Sequence, residues 1–528
     1  MYATRGWAAG RAKARIRAFE LIQEIQTGAP GAPGELEALI GSARDEGYGE
    51  VVRVGMFGRA VRSWIEQDPS LARDVDALVS VSRKDGDDCM TALGLAMRAA
   101  FVVEGILGPA SPAFDGDLAE AVVLLESAEG EALEMMSAHT ACGIAFDYRS
   151  MWELGDEQYA AAIARAGRAD PGVGDTLLAA VMFNRVEAQV SWASRLRQLG
   201  DQVALADRWR AWGAVMARSG AYGMPAPWLT ELEALGHLMA AVTGAAPVDV
   251  ADQMLATLRA EGRDDPRTSG HLELAGALIA VDAKAPDAYE RAGRAVEAID
   301  REAFPLLYDL ALYIAAEVEA TTGPTSGLRC ADIQIRHRWA DRLAQLESMR
   351  SRIASTRLVS ELARVSEEAR RDDLTGLGNR RALGLFMTDL DRRGVAKVAV
   401  IMVDVDRFKM VNDRFGHGTG DAVLGRLAVH LEAGIRPSDL AIRLGGDEFL
   451  VVLADAELAT AAERAAVLMD QIKADRWGVI SDGLQISVSM GVSGGPVAEL
   501  GAVRAGADHA LYDAKRAGGN RISVAGTD

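Results

Sequence analysis

The hydrophobic period of this chain changes once, and that change limits what it can fold into. From about residue 1 to residue 335 apolar residues recur at steps of three and four, as in "LAEAVVLLESAEGEALEMMSAHTACGIAF" and "DAYERAGRAVEAIDREAFPLLYDLALYIAAEVEA". That is the spacing of helices burying one face. From residue 372 onward, helical stretches alternate with short valine-rich runs such as "VAKVAVIMVDVD" and "FLVVL". Runs of this kind read as buried strands. One core rarely serves 528 residues, so the two patterns imply separate domains.

Breakers cut the first region into helices: Gly108-Pro109, Asp170-Pro171-Gly172, Gly200, Pro225 and Pro227, Pro247, Pro266, Pro286 and Gly323-Pro324. Their intervals suggest helix pairs of roughly 35–45 residues, the size of tetratricopeptide-like repeats. Residues 1–335 are therefore expected to form an all-α solenoid of degenerate repeats, serving as a sensor or docking region. Residues 336–371 carry no glycine or proline. Trp339, Leu343, Leu346, Met349 and Ile353 form an apolar seam, and Leu358, Leu362, Val365 and Ala369 resume it after a phase slip. The reading is one linker helix pairing as a parallel two-stranded coiled coil, or else packing on its own domain.

The last region, 372–528, reads as strand, helix, two strands, helix, strand, followed by a last helix and a short strand "RISV". The order βαββαβ is the split βαβ of an α+β, ferredoxin-like sheet of the palm or nucleotide-cyclase kind. "LAIRL" and "FLVVL" are joined by a tight "GGDE" turn. Both hairpin strands are expected to flank the first strand, which brings Asp447 and Glu448 toward Asp404. Alternation places Asp404 and Asp406 on one face. Clustered carboxylates repel unless a cation lies between them. Mg²⁺ held by one or two carboxylates and substrate phosphates meets that need. Gly445 and Gly446 leave the turn backbone open to a bulky ligand.

Five segments in order carry a family resemblance: "DDLTGLGNRRAL", "DVDRFKMVNDRFGHGTGDAVL", "RLGGDEF", "SVSMGVS" and "ALYDAKRAGGNRI". Together they resemble the GGDEF diguanylate cyclases, which condense two GTP into cyclic di-GMP. The resemblance implies that Asp404, the Val405 carbonyl and Asp447 hold Mg²⁺ or Mn²⁺, and that Glu448 lies beside the reacting centre. It implies that Asn412 and Asp421 pair with the guanine edge. Phe408 would line the pocket, Gly445 and Gly446 would lie under the substrate, and Lys409 and Lys515 would hold phosphates. Arg436 and Asp439 match an RxxD site where cyclic di-GMP inhibits its own synthesis. The family works as a homodimer, because two substrate sites must face each other. Gly519 departs from the pattern, since a basic residue is usual there. That leaves a second reading open, a catalytically weak module that binds GTP or cyclic di-GMP. The chain closes a few residues after "RISV", so no domain that hydrolyses cyclic di-GMP is expected.

Composition narrows the partners. A net charge of −19 argues against a nucleic-acid or anionic-membrane binder. No apolar run reaches the ~18 residues that a membrane helix needs. Three scattered cysteines, Cys89, Cys142 and Cys330, suggest a reducing compartment, and the cytoplasm is the expectation. The protein or ligand read by the helical region is not encoded in any motif.

Overall fold

A computed structural model describes residues 2–101, 114–219, 226–246, 250–263, 265–320 and 325–525. The breakers Gly108-Pro109, Pro225, Pro247 and Gly323-Pro324 lie outside the described residues. The chain divides into two compact units, Met1–Arg357 and Leu358–Asp528.

The first unit is helical throughout its described residues. Its helices are α1 (Tyr2–Gln26), α2 (Ala32–Asp45), α3 (Gly49–Ile65), α4 (Leu71–Lys84), α5 (Asp88–Phe101), α6 (Asp115–Ser127), α7 (Ala132–Asp147) and α8 (Trp152–Arg165). They continue with α9 (Val173–Leu199), α10 (Gln202–Ser219), α11 (Ala226–Val242), α12 (Val250–Ala260), α13 (Pro266–Asp282), α14 (Ala288–Ala298), α15 (Pro305–Glu319) and the start of α16 (Ser326–Glu368). Each of the two long periodic segments is two helices, broken at Ala128–Glu131 and at Ile299–Phe304. Pro266 opens α13, where a proline costs no hydrogen bond, and Asp265 caps it by accepting from the Thr268 N–H at 3.0 Å. Gly200 closes α9 in the left-handed region at φ 74°. Most helices pack on the next or the next but one.

Two large cores and three smaller clusters fill this unit among its described residues. One large core is built around Leu78, Leu93, Leu95, Leu118 and Met135, the other around Met182, Leu235, Leu238, Leu274 and Leu310. Leu346, Met349 and Ile353 of α16 belong to the first. These three seam residues are thus consumed by their own unit and are not free to pair with a second helix, while Leu343 is 40% exposed. Leu358, Leu362 and Val365 are 60%, 60% and 48% exposed. No helix among the described residues is long and apolar enough to cross a membrane.

The second unit is a five-stranded mixed sheet with helices on both faces. Its strands are β1 (Lys397–Val405), β2 (Leu440–Gly445), β3 (Glu448–Ala454), β4 (Val488–Pro496) and β5 (Ile522–Val524), in the order β2-β3-β1-β4-β5. Only β3 of the hairpin flanks β1; the other neighbour is β4, and β2 lies at the edge. The expectation that both hairpin strands flank β1 fails because β4 takes the second central position. The strand read in "LQISVSMGVSGG" is β4, which begins only at Val488.

The helices here are α17 (Arg380–Arg392), α18 (Phe408–Phe415), α19 (His417–Ala433), α20 (Leu458–Ala474) and α21 (Leu500–Arg516). Alternation along β1 sorts its side chains. Ala399, Ile401, Val403 and Val405 face a core shared with α18, α19 and α20, while Val398, Val400 and Met402 face one shared with α17 and α21. A strand buried on both faces explains the unbroken apolar run.

Candidate active site

The site lies at the end of β1, where the apolar run stops in an acid. Asp404 is only 4% exposed, and its Cα stands opposite Glu448 on β3 and Ser489 on β4. Its Oδ2 accepts from the Lys515 ammonium of α21 at 2.6 Å. Burial pushes the Asp404 carboxyl up, with Asp447 and Glu448 adding and Lys515 opposing, to about 6. Asp404, Asp447 and Glu448 therefore share one field.

The hairpin turn is shaped by its glycines. Gly445 and Gly446 take φ of 142° and 57°, values that favour residues without a Cβ. A Cβ at either would meet nothing within 4 Å, so the space above the turn is open. A bulge between Arg443 and Gly445 lets Gly445 pair with Glu448. Arg443 braces the turn from below, donating from Nε to the Gly446 carbonyl at 2.9 Å and from Nη1 to Asp372 at 3.0 Å. Asp372 also accepts from the Thr375 hydroxyl at 2.7 Å. Burial raises the Asp372 carboxyl, but Thr375 and Arg443 outweigh it and hold it below its ordinary value. Sequence reasoning missed this brace, whose partners lie 71 residues apart.

The second wall is α18 and α19. Asn412 sits on α18, and its Oδ1 is shielded from solvent with no hydrogen-bond partner. A Cβ on Gly420 would meet that oxygen at 1.9 Å and the Phe408 ring at 3.2 Å, so only glycine leaves both side chains their places. Phe408 packs on the edge of the core. Lys409, Asp421 and Glu448 are exposed. Arg407, just before α18, holds a left-handed φ of 55°, which is uncommon for a residue with a side chain.

Two expectations change. Asp406 does not join the acid cluster: its carboxylate accepts from Ser487 Oγ at 2.7 Å, Ser489 Oγ at 2.6 Å and the Asn520 N–H at 2.7 Å. It ties the strand ends to the turn after α21. Lys515, expected on phosphate, is placed on Asp404. Gly519 has φ 73°, a region that residues with a side chain rarely adopt, and a Cβ there would approach Asp406 Oδ1 to 2.8 Å, so a side chain here would be strained and would displace the Asp406 carboxylate.

The RPSD turn lies at the far end of β2. Asp439 accepts from the Arg436 N–H at 3.0 Å and from the Ala454 N–H at 3.1 Å, while the Arg436 side chain is exposed. Asp439 also borders a cavity of about 430 Å³ that includes Arg370, Leu377, Phe386 and Ile435. Nearby Arg464, for which the sequence suggested no role, donates to the Gly434 carbonyl at 3.2 Å.

No group of three or more His, Cys, Asp or Glu among the described residues forms a ready metal cage. Two neighbouring carboxylates and a strand-end carbonyl suit a hard cation that draws its remaining ligands from phosphates and water. The raised Asp404 carboxyl fits such a cation, whose charge would offset its acidic neighbours.

A mixed sheet with acids at the end of its central strand, a glycine turn opposite and an amide oxygen alongside makes an α+β domain with its acids beside an open turn. Residues 369–521 match the family model described as "Diguanylate cyclase, GGDEF domain", and this segment is a GGDEF domain. The response regulator PleD of Caulobacter vibrioides is 36% identical over 160 residues, which are 29% of this chain and 35% of that protein. The diguanylate cyclase TpbB of Pseudomonas aeruginosa is 38% identical over 184 residues, 33% of this chain and 40% of that protein. The chain thus spans well under half the length of these curated relatives. Among solved structures, the GGDEF domain of TpbB is 34% identical over 98% of its own chain and 29% of this one, with a TM-score of 0.26.

Proposed function

We propose that this protein is a diguanylate cyclase that condenses two GTP into cyclic di-GMP and two pyrophosphates. The observation that carries this reading is the register of Asp404 against Glu448, with Asp447 on a glycine turn open to a ligand. Asp404, Asp447 and the Val405 carbonyl are the residues that would hold Mg²⁺ or Mn²⁺, which supplies charge stabilisation on the transferring phosphoryl group. Asn412 Oδ1 and the Asp421 carboxylate are acceptors suited to the N1–H and N2–H₂ donors of guanine. Adenine lacks that pair, and a site with unpaired acceptors discriminates strongly against it.

In this reading each GGDEF domain binds one GTP over Gly445 and Gly446. The 3′-hydroxyl of one attacks the α-phosphorus of the other, and pyrophosphate leaves; the reciprocal step closes the ring. Two domains must face each other, so the working unit is a homodimer. Lys515 neutralises Asp404 until phosphate arrives, and Lys409 is free to meet phosphate as well. Arg436 and Asp439 form a site for inhibition by product. The helical region serves as a tetratricopeptide-like docking or sensing part. A second reading, a weak cyclase acting mainly as a binding module, is favoured by Gly519, which offers no side chain to help hold the γ-phosphate.

The test is direct. Purified full-length protein is incubated with GTP and Mg²⁺, and cyclic di-GMP is sought by mass spectrometry. Formation of cyclic di-GMP supports the cyclase. Saturable GTP binding without product supports the binding module, and neither result overturns both.

A further inference from the structure

A cavity of about 550 Å³ lies in the N-terminal unit, between the loop joining α7 to α8, helix α9 and the first half of α16. Its lining is chemically unusual for so acidic a chain. Five arginines face it against two aspartates, in a protein of net charge −19. Trp152, Trp339 and Tyr148 supply aromatic surface. A volume of this size accommodates a small organic molecule.

Two of the arginines are built in. Arg195 and Arg342 are only 7% and 6% exposed, and in each the Nη1 nitrogen has no hydrogen-bond partner. Buried guanidinium donors without partners are costly. The other nitrogens of Arg342 are fixed. Arg342 donates from Nε to the Ser150 carbonyl at 2.7 Å and from Nη2 to Glu153, and its plane lies 4.8 Å and 4.4 Å from the ring centres of Trp152 and Trp339. Arg195 and Arg338 share one carboxylate, Asp309, each at 3.5 Å, so a single negative charge serves two cations. Burial lowers the pKa of both Arg195 and Arg342, the direction that a bound anion reverses. A preorganised cluster with excess positive charge and unmatched donors is an anion receptor in its physical make-up.

We propose that this cavity binds a small organic anion bearing an aromatic ring, its phosphate or carboxylate held by Arg195, Arg338 and Arg342 and its ring packed on Trp339 and Tyr148. The site is independent of the GTP chemistry and goes beyond it. Because Arg338, Trp339 and Arg342 all belong to α16, a ligand here touches the helix on which the compact unit ends.

Isothermal titration of the full-length chain, without GTP, tests this with three probes: 1-naphthyl phosphate, 1-naphthoate and the neutral 1-naphthamide. At least one anion is expected to bind saturably, and the amide at least about tenfold more weakly. Which anion binds tighter identifies the head group. Arg338 has a side chain 67% exposed, so Arg338→Gln should melt like the parent while raising Kd for the anion at least about fivefold. Arg338→Lys should recover part of the loss. The proposal is overturned if neither anion binds or if the amide binds equally well. It is also overturned if Arg338→Gln leaves Kd unchanged, as it would for probe held in the GTP site.

Discussion

Glu448 lies exposed at the first position of β3, outside the core, and faces Asp404 across the ladder. Removing its charge should therefore cost chemistry and not stability. Glu448→Gln is expected to reduce cyclic di-GMP formation more than about a hundredfold while leaving the melting curve within experimental error. Near-normal turnover would sink the reading of this hairpin as the reacting centre. Asp404, Asp447 and Glu448 were legible because acids gathered at a strand end and a facing turn repel one another without a cation, although Asp406, read with them, proved to tie the strand ends instead. His271 was not legible, since a lone histidine in a helical pattern looks like any core residue. It is fully buried, both ring nitrogens lack partners, and Phe304 meets it edge-on at 4.9 Å. Burial, helped by Arg267 and opposed by Asp265, lowers its pKa to about 4. The unfolded chain then takes the proton first, so stability falls as pH drops from 6.5 toward 4. The loss should amount to roughly 1–3 kcal/mol. His271→Leu should flatten the dependence of the N-terminal unit's urea midpoint between pH 7 and pH 5; a midpoint as pH-sensitive as the parent's would assign the effect elsewhere.

At the scale of elements, the five strands and helices α19, α20 and α21 followed from hydrophobic period and turn chemistry, whereas the short α18 and the preceding α17 did not. The contacts between them did not. Asp406 to Asn520, Arg443 to Asp372 and Lys515 to Asp404 join residues far apart in sequence, and no local pattern announces such pairs. The RPSD turn shows the same division within four residues. Its resemblance to the family's RxxD motif made it a proposed inhibitory site, yet Asp439 also ties the start of β2 to the end of β3 through the Ala454 N–H. Arg436 offers only its backbone to that tie, and its side chain makes no ion pair among the described residues. The two residues should therefore separate experimentally. Arg436→Ala is expected to raise the product concentration for half-inhibition about tenfold or more with an unchanged melting temperature. Asp439→Ala should lose inhibition and also about 1 kcal/mol of stability. Inhibition curves of Arg436→Ala that overlay the parent would make the segment an ordinary turn.

At the scale of the whole molecule, the proposed homodimer needs a surface through which two copies of the chain would meet. The seam of α16 was legible in sequence, but its use was not, because periodicity does not say what covers an apolar stripe. Leu346, Met349 and Ile353 are buried in the N-terminal core, and Arg357 is paired with Glu126 of that same unit. The division between compact units falls at the next residue. What remains for pairing is the short stripe of Leu358, Leu362 and Val365, all largely exposed. Two heptad-like steps make a weak coiled coil alone, so association should be sensitive to single charges. Leu362→Glu is expected to shift the dimer toward monomer in sedimentation and to reduce cyclase rate per chain, with GTP binding intact. Register matters for the same reason. Inserting one to four residues between Arg357 and Leu358 rotates everything beyond by about 100° per residue. If paired helices orient the catalytic domains, rates should vary with insertion length and recover best near a full turn, at three or four residues. A flat series, together with an unchanged oligomeric state in Leu362→Glu, would mean that the domains meet through some other surface and that α16 only joins the two units.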